Sequence, residues 1–178
     1  MKAARPRAAA SDAAVTIPLN LLPATNAHLD RIRELHLAGL RDSGSLSLDP
    51  TLDTDLLDVE RAYSDGLFLL AARADAPRGI VGMGALARIG DGYQIKRMRV
   101  DASQRRRGIA QAILARLIDE ARARGIAELR LDTSLQQQAA QRLYERNGFV
   151  HERDLDIGGI PSRLYRLALA APDTTDAR

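Results

Sequence analysis

Three consecutive arginines followed by a glycine, Arg105 to Gly108, form a segment that could bind a phosphate-bearing anion. A strand-like run, Ile95 to Val100, precedes the segment, and a long amphipathic helical pattern follows it. Backbone N–H groups in the first turn of a helix lack intrahelical partners and lie at the positive end of the helix dipole. Glycine has no Cβ to hold a phosphate away, and the arginines add positive charge. The pattern therefore predicts an anion site at this turn.

The strand before the turn changes the phase of its apolar side chains. Its apolar residues begin on odd positions, Tyr93 and Ile95. They end on even positions, Met98 and Val100. Because side chains alternate faces along a strand, one inserted residue would produce this switch, and we expect a β-bulge near Lys96-Arg97. A half-buried strand that changes partners would give the same pattern.

The turn connects two strands through a helix. Its helical pattern places Ala110, Leu114, Leu117, Ile118 and Ala121 on one face, and Gly125 ends the helix. The next segment, Ile126 to Thr133, alternates apolar and charged residues and is a half-covered strand. A strand-helix-strand crossover makes its two strands parallel.

The other elements predict a mixed α+β fold, with one parallel pair in a mostly antiparallel sheet. Helices are expected at Asn26 to Leu40, Thr54 to Tyr63 and Gln137 to Arg146. Strands are expected at Val15 to Leu19, Phe68 to Ala72, Gly79 to Leu86, Phe149 to Arg153 and Arg163 to Leu169, with a hairpin turn at Gly90-Asp91-Gly92.

Composition narrows the class of protein. The 178 residues suit one domain, and 46% hydrophobic with 28% charged residues is typical of a globular chain. The absence of cysteine excludes disulfides, thiolate zinc sites and cysteine nucleophiles. The three histidines lack metal-ligand spacing, so we expect no metal site. With two Phe, four Tyr and no Trp there are few stacking platforms for nucleic acid, despite the net charge of +3.

We expect a single domain over residues 15–170 between disordered tails at 1–14 and 171–178. The first tail is rich in Ala, Arg and Pro and lacks the apolar run of a secretion signal, although it faintly resembles an organellar transit peptide. No stretch approaches the ~18 apolar residues of a membrane span. A cytoplasmic protein without a membrane partner is the expectation.

Two segments resemble the GNAT superfamily of acetyl-CoA-dependent N-acetyltransferases. Arg105-x-x-Gly108-x-Ala110 matches the superfamily's Arg/Gln-x-x-Gly-x-Gly/Ala signature, and Leu143 to Phe149 resembles its second conserved segment at a fitting spacing. The resemblance covers Gly79 to Phe149, and the N-terminal half only in element order. It implies a GNAT-like fold with helices on both faces of the sheet and a parallel strand pair splayed by the bulge.

The resemblance also implies which residues bind acetyl-CoA. Met98, Arg99 and Val100 would lie along the pantetheine arm, with backbone hydrogen bonds from Met98 and Val100. A backbone N–H aimed at the thioester carbonyl would stabilise the developing oxyanion. Gln137 would hydrogen-bond the pantetheine or the acceptor, or would cap its helix. The pyrophosphate would be held by the turn residues Arg105, Arg106, Arg107, Gly108, Ile109 and Ala110.

By the same resemblance, Tyr144 would donate a proton to the departing coenzyme A thiolate; alternatively its ring simply packs in the core. The attacking amine, with a pKa near ~10.4, must first lose a proton. Many relatives carry a glutamate where this chain has Gln94, which cannot accept a proton. Water, a backbone carbonyl or a carboxylate from the N-terminal half would serve instead, with Asp55, Asp58 and Glu60 as candidates that are more often solvated helix charges.

The predicted function is direct acetyl transfer to a primary amine of a small molecule or peptide. The alternative is a non-catalytic acetyl-CoA or coenzyme A sensor, which the missing strand glutamate permits. Arg97 and Arg99 could face an anionic acceptor or the cofactor, although exposed sheet charges are the commoner interpretation. The acids at 49, 53, 55 and 58 suggest a cationic acceptor or a helix N-terminus. Many relatives form homodimers, and nothing in this sequence specifies one.

Overall fold

The computed structural model describes residues 18–44 and 50–169. They form a seven-stranded sheet in the order β1-β2-β3-β4-β5-β7-β6. Neighbouring strands are antiparallel except β4 and β5, which are parallel, so the mixed-sheet prediction is confirmed. The strands are β1 Leu19–Pro23, β2 Leu67–Arg73, β3 Ala76–Ile89, β4 Gly92–Val100, β5 Glu128–Ser134, β6 Val150–Ile157 and β7 Ile160–Ala168.

Helices cover both faces of the sheet. The α-helices are α1 Leu29–Ser43, α2 Val59–Ala62, α3 Ile109–Ala123 and α4 Gln138–Arg146, with 3-10 turns at Asn26–His28, Pro50–Leu56 and Ala102–Gln104. On one face α3 buries Ile109, Ile113, Leu114 and Leu117, and it packs mainly against β3. On the other, α1 and the turn before α2 bury Ile32, Leu35 and Leu56 against β2 and β3. No helix in this part of the chain is both long and apolar enough to cross a membrane.

The N-terminal elements depart from their predicted limits. The first strand runs from Leu19 to Pro23, and residues 15–17 of the predicted strand lie outside the described residues, as do the predicted tails. The helix predicted over Thr54 to Tyr63 is wrong, because a 3-10 turn and the four-residue α2 take its place. Asp58 interrupts it: its backbone is extended at φ −152° and its side chain caps α2 by accepting a hydrogen bond from Arg61 N–H.

The predicted bulge in β4 is confirmed. Met83 pairs with Arg99 and Ala85 pairs with Lys96, so two residues of β4 lie opposite Gly84 alone. Arg97, inside the bulge, has φ 58°.

The bulge decides where the following side chains point. Met98 packs towards α3, where a Cβ on Gly84 would lie 2.4 Å from its sulfur. Arg99 points the opposite way and packs against α1.

The parallel pair β4–β5 is short. Pairing is limited to Tyr93 with Leu129 and Gln94 with Arg130. After these pairs, β4 continues through the bulge to Val100 and β5 continues to Ser134. The strands therefore separate towards their carboxyl ends, as the resemblance implied, and leave a cleft between them.

Candidate active site

A cavity of about 240 Å³ lies in the cleft between β4 and β5. The strands contribute residues that come after their last pair, and α1, α4 and the β6–β7 hairpin complete the walls. Its lining comprises His36, Leu40, Asp53, Ile95, Lys96, Arg97, Met98, Arg99, Asp132, Thr133, Ser134, Gln137, Tyr144, Ile157, Ile160 and Ser162.

The residues predicted from sequence fall into two adjacent groups. Met98, Arg99, Gln137 and Tyr144 line the cavity itself. Val100 ends β4, and the turn from Arg105 to Ala110 follows it after one 3-10 turn. The second group therefore continues the cleft beyond the end of β4.

The turn before α3 exposes backbone N–H groups. Arg106 and Gly108 have positive φ, at 60° and 78°, and Gly108 is the N-cap of α3. A Cβ on Gly108 would meet no atom within 4 Å, so the glycine is required by backbone conformation and leaves open space above the helix end. Arg105 is paired with Asp42 of α1, whereas Arg106 and Arg107 are exposed. An anion at this turn would meet two accessible arginines.

Tyr144 is buried on α4 and reaches the cavity. Its ring centroid lies 5.8 Å from that of Phe149 and 6.4 Å from that of Tyr165. Burial raises the pKa of Tyr144 to about 12, partly offset by the charge of Arg99. The hydroxyl is therefore protonated at neutral pH and has a hydrogen to donate. The two sequence alternatives for Tyr144, packing and proton donation, are compatible in this geometry.

Gln137 occupies the N-cap position of α4, but its side chain does not cap the helix. Instead, its Oε1 accepts a hydrogen bond from the Thr133 hydroxyl at 3.0 Å. The capping alternative is therefore wrong for Gln137. Its amide stays at the cavity wall.

Arg97 is not the exposed sheet charge that its position suggested. Its side chain is 8% exposed and forms ion pairs with Asp53, at 2.7 Å, and with Asp55, which also accepts a hydrogen bond from Tyr63. Burial alone would lower the pKa of Arg97, but the hydrogen bonds and charges of both carboxylates raise it overall. Arg97 therefore fixes the acidic segment before α2 against the sheet.

His36 of α1 is buried at the same wall. Its Nε2 lies 3.0 Å from an oxygen of Asp53. Burial and the charges of Arg99 and Arg97 lower the pKa of His36, so the ring is neutral at neutral pH. Its Nδ1 has no hydrogen-bond partner among the described residues. Sequence alone had indicated only a packing or surface histidine.

Arg99 is half-buried, with its side chain fitted against α1. A Cβ on Gly39 would lie 2.3 Å from the Arg99 Cδ, so the absence of a side chain at Gly39 makes room for the arginine. A glycine inside a helix lowers stability by roughly 0.5–1 kcal/mol relative to alanine. Helix α1 is therefore less stable with Gly39 than with alanine at this position. Arg99 Nη1 donates to the Met98 carbonyl at 2.9 Å. Burial lowers the pKa of Arg99. The exposed-charge interpretation is wrong for Arg99 as well.

Asp132 is a cavity residue that the sequence did not single out. It lies between Leu131 and Thr133, which point to the α3 side, so its carboxyl points to the opposite side. The side chain is accessible from the cavity, yet desolvation by the surrounding protein raises its pKa despite the nearby charges of Lys96 and Arg97. A carboxylate with a raised pKa is suited to accept a proton.

The carboxylates suggested by the sequence are engaged in other contacts. Burial would raise the pKa of Asp55, but its hydrogen bonds to Arg97 and Tyr63 lower it overall. Asp58 caps α2 and accepts a hydrogen bond from the Asn26 side chain, and Glu60 accepts one from the Asn26 backbone. Within residues 18–44 and 50–169, no group of three metal-ligating side chains is positioned to hold a metal ion.

The separated parallel strand pair and the exposed helix N-terminus that follows it form the arrangement that the resemblance to the GNAT superfamily implied. Residues 29–149 match the model of the acetyltransferase (GNAT) family. The chain therefore belongs to this family of acyltransferases, whose acyl donor is acetyl-CoA.

Relatives agree with this assignment. An IAA acetyltransferase of Azospirillum brasilense is 37% identical over 105 residues, which is 57% of this chain and 67% of that protein. The chain spans 37% to 67% of the length of the four curated relatives it matches.

Solved structures show the same fold. A GNAT acetyltransferase of Staphylococcus aureus Mu50 has a TM-score of 0.74 at 24% identity, covering 86% of this chain and 100% of that one. The acetyltransferase yncA of Salmonella typhimurium, solved with its cofactor acetyl-CoA, has a TM-score of 0.69 at 22% identity, covering 88% of this chain and 98% of that one.

Proposed function

We propose that this protein transfers an acetyl group from acetyl-CoA directly to a primary amine of a small molecule or peptide. The observation that supports this proposal most is the cavity between β4 and β5. Its lining includes Tyr144, whose hydroxyl is protonated, and Asp132, whose carboxyl has a raised pKa. Direct transfer requires a group that takes a proton from the amine and one that stabilises the leaving thiolate. This cavity contains one residue suited to each task.

The cleft and the adjacent turn fit acetyl-CoA. The bulge leaves β4 backbone from Met98 to Val100 beside the gap, where it can hydrogen-bond the pantetheine arm. The amides of Gly108, Ile109 and Ala110, with Arg106 and Arg107 nearby, are suited to the pyrophosphate. Arg105 supports this turn through its pair with Asp42. When bound, acetyl-CoA supplies a thioester whose carbonyl carbon is open to attack by an amine.

Asp132 is proposed as the group that receives the amine proton. A free primary amine has a pKa near ~10.4 and is mostly protonated at neutral pH. The raised pKa of Asp132 makes its carboxylate a stronger base than a solvated aspartate. Removal can run directly or through one water molecule. This role takes the place of the glutamate that Gln94 replaces.

Tyr144 is proposed to stabilise the thiolate as the carbon–sulfur bond breaks. Its hydroxyl carries a hydrogen at neutral pH because burial raises the pKa to about 12. The ring is held by Phe149 and Tyr165, which fixes the position of the hydroxyl at the cavity wall. No residue needs to carry the acetyl group, and the chain has no cysteine that would do so.

Thiol release from acetyl-CoA with a panel of primary amines tests the proposal. We expect amine-dependent release that slows strongly in Tyr144→Phe. Tyr165→Phe is the matched control, because its hydroxyl bonds Glu145 at 2.9 Å and the residue does not line the cavity. Tight acetyl-CoA binding without release on any amine would contradict the proposal and favour a coenzyme A sensor.

A further inference from the structure

Arg99 is a half-buried cation whose charge is not matched at short range. Among the described residues, no carboxylate lies within 4 Å of its guanidinium, in contrast to neighbouring Arg97 with its two aspartate partners. A buried charge is costly unless it is paired. The guanidinium of Arg99 therefore lacks an anionic partner, which a molecule bound in the cavity could supply.

The guanidinium has donors left for such an anion. Nη1 donates to the Met98 carbonyl, and Nε is enclosed beside Gly39 without a hydrogen-bond partner. No described residue accepts a hydrogen bond from Nη2, and this nitrogen is not enclosed. Since Arg99 lines the cavity, Nη2 is the donor available there.

The position of Arg99 distinguishes it from the pyrophosphate turn. It points to the α1 side of β4, whereas Met98 points to the α3 side. The charges that act on it include the carboxylate of Asp132, and Tyr144 lines the same cavity; both belong to the proposed reaction centre. The exposed arginines of the turn, Arg106 and Arg107, already provide positive charge for the cofactor's phosphates. Arg99 is thus placed for the acceptor.

The cavity also offers the opposite sign. Asp132 lines it together with Arg99, so a bound molecule meets a carboxylate and a guanidinium in one space of about 240 Å³. A molecule with an ammonium and a carboxylate a few bonds apart would match both. A simple alkylamine would leave Arg99 unmatched.

We propose that the acceptor is a small amine that also carries a carboxylate, as free amino acids do, and that Arg99 binds this carboxylate. This inference rests on the proposed transfer to an amine and narrows its substrate class. Arginine suits the task because its planar fork can donate two parallel hydrogen bonds to a carboxylate. Gly39 is the positioning residue that provides the room for it.

The test compares matched acceptors with wild-type protein. Each of the common amino acids is assayed beside its carboxamide and its decarboxylated amine, by thiol release at saturating acetyl-CoA. We expect kcat/KM for the preferred amino acid to exceed that for its amide by ~10–100-fold, the range for a charged hydrogen bond. Amides or decarboxylated amines that perform as well as the acids would overturn the carboxylate subsite and leave amine acetylation intact.

Variants then assign the discrimination to Arg99. Arg99→Gln should raise KM for the amino acid by ~10–100-fold and leave KM for acetyl-CoA unchanged, with Arg99→Lys between the two. Arg130→Gln, an exposed arginine of β5 paired with Glu128, is the matched control. A rise in KM for acetyl-CoA instead would overturn the proposal by assigning Arg99 to the cofactor.

A binding measurement separates this inference from the transfer reaction. Titration calorimetry with the same amino acids and amides, in the presence of coenzyme A, requires no turnover. Carboxylate-selective binding that Arg99→Gln abolishes would support the subsite even if no thiol were released, and transfer alone would then be refuted. If amino acids neither bind selectively nor react selectively, the subsite is overturned. Circular dichroism melts confirm that each variant is folded.

Discussion

Replacing Tyr144 with phenylalanine removes one hydroxyl and keeps the packing around it. The ring contacts with Phe149 and Tyr165, at centroid distances of 5.8 Å and 6.4 Å, do not involve the hydroxyl. The residue is 5% exposed, and phenylalanine fits the same space. We therefore expect the melting temperature to be nearly unchanged, so that a change in rate reports on chemistry.

The size of the rate change follows from the pKa of Tyr144. The pKa of Tyr144, about 12, lies roughly 3.5 units above the ~8.5 of an ordinary thiol. Complete proton transfer from Tyr144 to the thiolate is therefore unfavourable by on the order of 5 kcal/mol. Tyr144 should therefore act chiefly by hydrogen-bonding the developing thiolate. A hydrogen bond to a charged group contributes ~1.5–3 kcal/mol, so kcat should fall by ~10–100-fold in Tyr144→Phe.

Steady-state thiol release between pH 6 and about 10 measures this effect, with Tyr165→Phe as the control. In wild-type protein, kcat should show no alkaline decline from Tyr144 in that range, because its pKa of about 12 lies above it. A Tyr144→Phe variant that is folded and keeps kcat within ~threefold of wild type would refute the assignment.

Three further changes test other parts of the site. Asp132→Asn should lower kcat/KM by ~10²-fold or more. It should also raise the melting temperature slightly at neutral pH, because the raised pKa of Asp132 means that folding stability is lost as pH rises through it. A less stable variant would contradict the raised pKa. Arg97→Gln should cost about 3 kcal/mol in urea unfolding, because it leaves the largely buried Asp55 carboxylate without its ion-pair partner. The pKa of Asp55 is lowered in the folded protein, so its stabilising contribution is present above its unfolded pKa and is lost as pH falls through the folded value. The difference in unfolding free energy between Arg97→Gln and wild type should therefore shrink in acid. A constant difference would argue against the ion pair. Gly108→Ala should raise KM for acetyl-CoA and lower the free energy of unfolding by ~1–2 kcal/mol, because alanine is strained at a φ of 78°. The control Gly125→Ala, at φ 69° with equally open surroundings, should lose the same stability without a change in KM. Equal KM values for the two variants would contradict a role of the turn in cofactor binding.

Local sequence patterns were sufficient for the bulge and for the turn. The phase switch in β4 is a property of adjacent residues, and the structure places the bulge at Arg97, where it was expected. The helix after the turn and the parallel β5 follow from periodicity and crossover rules in the same way. These elements carry the backbone that is proposed to bind acetyl-CoA.

The charged wall of the cavity could not be predicted in this manner. Arg97 reaches Asp53 and Asp55 across more than forty residues of sequence. Nothing in the alternation of β4 shows that this distant segment covers that face of the sheet. Asp132 was overlooked for the same reason. The alternation in β5 predicts the face of the sheet on which Asp132 lies, but it does not predict which helix and turn enclose that face.

Gly39 gives a clue that could have been used. A glycine in the middle of an amphipathic helix is unfavourable and often marks a close approach by another group. Here that group is the side chain of Arg99. The sequence shows the glycine, whereas the identity of its partner depends on how α1 crosses the sheet.

The most direct test of the central claim is to follow an isotopically labelled acetyl group from acetyl-CoA to the acceptor. Acceptor acetylation, observed by nuclear magnetic resonance, should proceed at the same rate as thiol release, and mass spectrometry should show no acetyl group on the protein during turnover. The same experiment with Tyr144→Phe should give the same product more slowly. Label that stays on acetyl-CoA with every amine tested, or that accumulates on the protein, would contradict direct transfer in this cavity.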